Sequence, residues 1–168
     1  MSDELTQIEN NIKKLTASDF GEKYNIALEL SNIEEIPIKS FEELQELMHS
    51  GKAIMRQYPL STGSGTFTII STNSERRAFN FFSSLTFLLP IAGIILGFIF
   101  SWWFLLLFLA PIFTSRFGKR IYLHALFNRA ANSEIAFCFL FCGNCITLEL
   151  PDHGIIERIA QPVNSLDP

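Results

Sequence analysis

The sequence predicts a small α+β cytoplasmic domain interrupted by a transmembrane helical hairpin, and three observations carry that prediction. The chain has 168 residues, room for one core of ordinary size. Residues 78–115 are 38 consecutive positions without Lys, Arg, Asp, Glu or His. Charge falls in blocks: −7 over residues 1–50, +7 over residues 51–130 and −4 over residues 131–168, a pattern that the total of −4 conceals. The expected organisation is a cytoplasmic segment 1–77 with acidic helices and two strands, a membrane hairpin 78–115, and a cytoplasmic segment 116–168 with a basic helix, a β-hairpin and a tail.

Composition excludes several classes. Hydrophobic residues make up 48% and charged residues 18%, which is the opposite of a disordered chain. An acidic balance argues against binding to nucleic acid through a broad basic surface. Three cysteines, an odd number, do not make a disulfide framework.

From the N-terminus, Leu5, Ile8, Ile12 and Leu15 follow Ser2-Asp3 at helical spacing and predict an amphipathic helix. The stretch is acidic and lacks an apolar signal core, so no cleaved signal peptide is expected. Residues 19–36 fit strand and helix equally. Ser40-Phe-Glu-Glu43 has the form of a capping box ahead of Leu44, Leu47 and Met48, and Gly51 suits the stop. Residues 53–58 and 66–72 are short runs with β-branched or aromatic residues, separated by a Pro/Gly/Ser loop; they predict a hairpin with a seven-residue connection. That loop lacks the Gly-Lys-Ser/Thr ending of a phosphate-binding loop.

The charge-free run would extend about 57 Å as one helix at ~1.5 Å per residue, against a hydrocarbon core of ~30 Å. Two short crossings fit, roughly residues 79–99 and 102–115, with the turn at Phe100-Ser101. Arg76 and Arg77 precede the run, and Arg116, Lys119 and Arg120 follow it. Basic residues mark the cytoplasmic side, so flanks marked at both ends predict an even number of crossings and cytoplasmic termini. Trp102 and Trp103 are expected in the far interface. A hairpin re-entering the same face, or one span with an interfacial helix, also fits the nearly apolar tip. Gly93-x-x-x-Gly97 has the spacing for close helix packing, and Pro90 and Pro111 are expected to bend their helices. The run carries no ionisable group, the usual mark of a transport pathway.

Residues 117–131 predict an amphipathic helix lying along the headgroups, with Lys119, Arg120 and Arg129 on its polar side and His124 packed inside. Residues 134–150 predict a β-hairpin turning at Gly143-Asn144. In that register Cys142 opposes Cys145, and Phe137, Phe139, Phe141, Ile146, Leu148 and Leu150 share one buried face.

Cys138-Phe-Leu-Phe-Cys142-Gly-Asn-Cys145 is the one pattern suited to chemistry. Its Cys-x₃-Cys-x₂-Cys spacing resembles the cluster-binding loop of radical SAM enzymes, which implies a large barrel that the 23 residues after Cys145 cannot build. Zinc bound by Cys138, Cys142, Cys145 and His153 is a second option, although a regular hairpin holds Cys138 away from the tip. The simplest reading is three reduced cysteines acting as small apolar residues. His49 and His153 have no evident nucleophile or carboxylate partner, so no catalytic residues and no cofactor are expected. The function expected is a non-enzymatic binding or regulatory protein anchored in the lipid bilayer, of immunity, exclusion or assembly-accessory build. Its protein partner would meet the acidic N-terminal region. The alternatives are a metal- or redox-using membrane enzyme centred on the cysteines and a homo-oligomeric pore component packed through Gly93 and Gly97.

Overall fold

The computed structural model describes residues 2–18, 26–58, 64–99 and 102–158. In chain order the elements are α1 (Ser2–Thr16), a 3₁₀ turn (Leu30–Asn32), α2 (Phe41–His49), β1 (Ile54–Gln57), α3 (Ser64–Ile70), α4 (Asn73–Ile99), a 3₁₀ segment (Trp102–Leu109), α5 (Ala110–Asn132), α6 (Glu134–Cys142), β2 (Ile146–Leu150) and β3 (Gly154–Ile156). The fold is mixed and mainly helical, with one small antiparallel sheet in the order β1-β2-β3. The chain divides into two compact units. One comprises residues 1–70 and 126–168, the other residues 71–125.

The first unit has a conventional core. On α1 the expected stripe is turned inward: Ile8 and Ile12 are buried, and Leu5 and Leu15 half-buried. Helix α2 stops at Gly51, whose φ of +70° is a conformation that only glycine adopts cheaply. The capping box ahead of it does not form. The Ser40 hydroxyl donates instead to the Glu42 carboxylate at 2.7 Å, which holds the Glu42 carboxyl below its ordinary value. Of residues 19–36, which fit strand and helix equally, 19–25 lie outside the described residues and 30–32 make a 3₁₀ turn.

Two expected hairpins give way to other structure. β1 forms where a strand was expected, but residues 64–70 are helical, with Phe67 and Ile70 buried one turn apart. Packing against α1 outweighs the β preference of Thr66, Thr68, Ile69 and Ile70. The partner of β1 is β2, with Ile54 opposite Glu149 and Gln57 opposite Ile146. Residues 134–142, expected as a strand, are helix α6. Ser133 caps it by accepting from the Ala136 N–H at 3.2 Å, Glu134 lies in its first turn, and Gly143 and Asn144 (φ 51°) end it. Every residue from Ala136 to Cys142 is buried, so the helix is apolar all round and has no polar stripe to give a 3.6-residue signal. Cys142 therefore does not oppose Cys145 in a ladder, and the Phe and Cys positions do not separate onto two faces. β2 pairs also with β3, Leu148 opposite Ile156, around the turn at residues 151–153.

Helix α6 anchors the unit. Phe137 stacks on Phe141 with centroids 6.0 Å apart and meets Phe41 at 6.3 Å. The Ser133 hydroxyl donates to Glu9 at 2.7 Å, the Leu30 N–H to Glu134 at 2.7 Å, and the Gln45 amide to the Ala131 carbonyl at 2.7 Å. Segments far apart in sequence are thus joined by bonds to partly buried carboxylates and carbonyls, which cost free energy if left unmet.

The second unit is built from α4 and the segment that follows residues 100–101. Helix α4 starts earlier than the apolar run, at Asn73, because Thr72 and Glu75 make a reciprocal cap. The Glu75 carboxylate accepts from the Thr72 N–H at 2.8 Å, and the Thr72 hydroxyl accepts from the Glu75 N–H at 3.3 Å. α4 continues through Pro90 to Ile99. It is the one helix among the described residues long and apolar enough to cross a membrane, with a mean hydropathy of 2.1 over its most apolar window. The expected second span is not a uniform α-helix. Residues 102–109 are 3₁₀, and the α-helix begins at Ala110, so that Pro111 falls in a first turn that needs no N–H from it. The turn expected at Phe100-Ser101 lies outside the described residues. α5 then runs unbroken to Asn132, so the expected separate helix at 117–131 is its continuation; Arg129 is buried and His124 exposed, the reverse of the expected faces.

Candidate functional site

The second unit holds the surface that the first gives no reason to expect. α4 and the 102–118 segment run antiparallel, as successive contacts show. A Cβ at Gly118 would lie 3.8 Å from the Phe79 ring, Phe82 stacks on Phe117 at 5.7 Å, the Thr86 and Thr114 hydroxyls hydrogen-bond at 2.8 Å, and Gly93 faces Leu107 and Phe104. A Cβ at Gly93 would lie 3.0 Å from both the Leu107 Cβ and the Phe104 carbonyl oxygen. The seam therefore combines small and hydroxyl-bearing side chains with the Phe79, Phe82 and Phe117 rings. Thr114 is buried and its hydroxyl is bonded as well to the Ala110 carbonyl at 3.1 Å.

The large apolar side chains point the other way. Of seventeen exposed large hydrophobics among the described residues, fifteen belong to this unit, with Phe98 at 85% and Phe87 at 70% exposure. Only 6% of the most apolar window of α4 is buried. Trp103 is exposed among them; the side chain of Trp102 lies outside the described residues. Gly97 is half-buried on the same helix, whereas Gly93 is already occupied within the chain.

The flanking basic residues are brought together at one end of the pair. Arg76 and Arg77 sit one turn before Phe79, and Lys119 and Arg120 directly follow Gly118, which faces Phe79. Arg77, Arg116, Lys119 and Arg120 are exposed and Arg76 is half-buried. On α5, Phe113, Arg116, Phe117 and Arg120 line a cleft of about 180 Å³. Sequence reading assigned the two arginines to the flank but missed the cleft, because its four residues straddle the end of the apolar run. Their spacing of i, i+3, i+4 and i+7 was the available signal.

The cysteines form no comparable centre. Cys138, Cys142 and Cys145 are all buried with free thiols, and His153 is exposed in the β2–β3 turn. Among the described residues no three His, Cys, Asp or Glu side chains are grouped to hold a metal ion. Burial pushes all three thiols above their ordinary value. At Cys138 the neighbouring Cys142 adds to the shift, while at Cys142 the Ala27 backbone and Arg158 partly offset it, and at Cys145 a hydrogen bond with Thr66 does. A group held in its thiol form is neither a nucleophile nor a metal ligand.

No family model matches this chain, and neither curated proteins nor solved structures include one similar to it.

Proposed function

We propose that this chain is a membrane-anchored, non-enzymatic binding or regulatory protein, with α4 and the return leg 102–115 crossing the bilayer as two spans and both termini cytoplasmic. One observation carries the reading: the 71–125 unit turns its large apolar side chains outward and closes its seam with Gly93, Gly118 and a threonine pair. In water that arrangement forfeits the free energy of burying those side chains; in lipid, close packing of small residues and hydroxyl bonds is what holds helices together. The return leg is long enough for a short crossing. Eight 3₁₀ residues rise about 16 Å at ~2.0 Å each and residues 110–115 add about 9 Å at ~1.5 Å each, at the short end of what a hydrocarbon core of ~30 Å requires. The basic end of the pair supports a cytoplasmic location for that end.

The acidic helices supply the contact surface for a protein partner, since Glu4, Glu42, Glu43 and Glu46 are all exposed. Small immunity, exclusion and assembly-accessory membrane proteins share this general build, which is an analogy of architecture. An enzyme centred on Cys138, Cys142 and Cys145 would need accessible thiolates, and burial works against them.

The test is topology followed by capture. The chain is expected to resist carbonate extraction, and reporter fusions at both termini are expected to report the cytoplasm; an outward-facing C-terminal fusion overturns the two-span reading. Crosslinking in native membranes is expected to capture a protein partner, with the yield falling when Glu42, Glu43 and Glu46 are changed to Gln. Turnover of a small-molecule substrate by the purified chain would overturn the non-enzymatic assignment.

A further inference from the structure

We propose that the cleft between Phe113, Arg116, Phe117 and Arg120 seats the phosphodiester headgroup of an anionic phospholipid. The inference rests on the membrane reading above and gives it a specific ligand. The four residues lie at i, i+3, i+4 and i+7 of α5 and so share one helix face, around about 180 Å³ of free space. Two guanidiniums one turn apart offer two planar donor forks, the geometry that matches phosphate oxygens.

The cleft is held open by the fold. The Phe117 ring is stacked on Phe82 of α4, with centroids 5.7 Å apart and planes 18° from parallel, so one wall is fixed from the neighbouring helix. Among the described residues no carboxylate pairs with Arg116 or Arg120. Glu75, the single acidic residue between positions 51 and 130, accepts from the Thr72 N–H in the α4 cap.

The aromatic walls select the source of the phosphate. A free phosphate ion would meet the guanidiniums but make no use of the Phe113 and Phe117 rings, which are 59% and 50% exposed on the same face. A phospholipid covers both rings with its glycerol and the first methylenes of its chains. The site also stands where the charge-free run ends, between Ser115 and Arg116, so apolar and charged walls are stacked in the order of acyl chain and headgroup.

The experiment is native mass spectrometry of the full-length chain in mild detergent, with phosphatidylglycerol, phosphatidylcholine or inorganic phosphate added. Phosphatidylglycerol is expected to be retained in preference to phosphatidylcholine. Arg116→Gln with Arg120→Gln should weaken that retention about tenfold, while Arg77→Gln with Lys119→Gln, an equal change of charge outside the cleft, should leave it within about twofold. Equal losses from the two pairs would replace the cleft with a diffuse basic field and overturn the proposal. Displacement of the lipid by an equal concentration of inorganic phosphate would overturn it in favour of a free-anion site. Carbonate extraction of the unmodified chain separates the two failures: a chain that stays in the membrane while both pairs behave alike loses the cleft alone, and a chain released from the membrane loses the reading beneath it as well.

Discussion

In residues 1–70 and 126–168 most large apolar side chains lie inside and most carboxylates of α1 and α2 outside; in residues 71–125 most large apolar side chains are exposed. Phe137 and Phe141 are fully buried in the first unit, while Phe87 and Phe98 stand exposed in the second. If the second unit lies in lipid as proposed, the difference teaches that one physical rule, removal of apolar surface from water, gives opposite side-chain orders in two solvents. The first unit carries its own nonpolar phase. On the membrane reading proposed above the second borrows one from lipid, and its seam includes Gly93 and the Thr86–Thr114 pair, which let two backbones approach.

Substitutions on either side of the comparison should therefore behave differently. Phe137→Ala is expected to cost about 3–5 kcal/mol, the usual range for a buried aromatic, whereas Phe98→Ala should change stability by less than about 0.5 kcal/mol. Denaturant unfolding of the detergent-solubilised chain reads both, and equal costs would dissolve the distinction between the units. Gly93→Leu places a side chain where only 3.0 Å is free and should cost about 1–3 kcal/mol, seen as a lowered melting temperature in micelles.

A loss set by pH comes next and acts on the first unit alone. The Cys138, Cys142 and Cys145 thiols are raised above their ordinary value of 9.0 in the folded chain. The unfolded chain therefore loses protons at a lower pH than the folded one. Their contribution is full below about pH 9 and declines above it. Equilibrium unfolding between pH 8 and pH 10 should show that decline, and Cys138→Ala should reduce it. The smallest effect is expected at the seam of the second unit. Thr114→Val should cost about 0.6 kcal/mol, and a double-mutant cycle with Thr86→Val should recover most of it as coupling.

The comparison also explains what could be read from the sequence. α1 and α2 declare themselves by apolar residues every three or four positions, and the charge-free run declares itself by length. β1 is legible as an extended segment, but its partner is not, because Gln57 and Ile146 come together only through tertiary structure. α6 is illegible by periodicity, since burial on all sides removes the polar stripe and leaves a Phe-Cys-Phe-Leu-Phe alternation that imitates a strand. Its caps, Ser133 and Gly143-Asn144, were the better guide. The same holds for α4, whose start is set by Thr72 and Glu75, while Ser40-x-x-Glu43, of the same form, makes a different bond. Of the site, the basic residues were legible as flanks. Their convergence needed the antiparallel packing, and the cleft needed α5 to continue past Ser115 as one helix.

The pairing of β1 with β2 has a consequence for how the chain is made. The two strands are separated in sequence by the whole 71–125 unit. At roughly 5–20 residues per second, a ribosome that has finished Gln57 needs about 5–18 s to reach Ile146. During that interval β1 lacks its ladder partner β2, the Leu30 N–H lacks Glu134, and the side chain of Glu9 lacks Ser133. The nascent N-terminal segment must wait, incomplete and with an open strand edge, while the most apolar part of the protein emerges. The order of synthesis thus obliges the apolar unit to find its surroundings before the sheet can close.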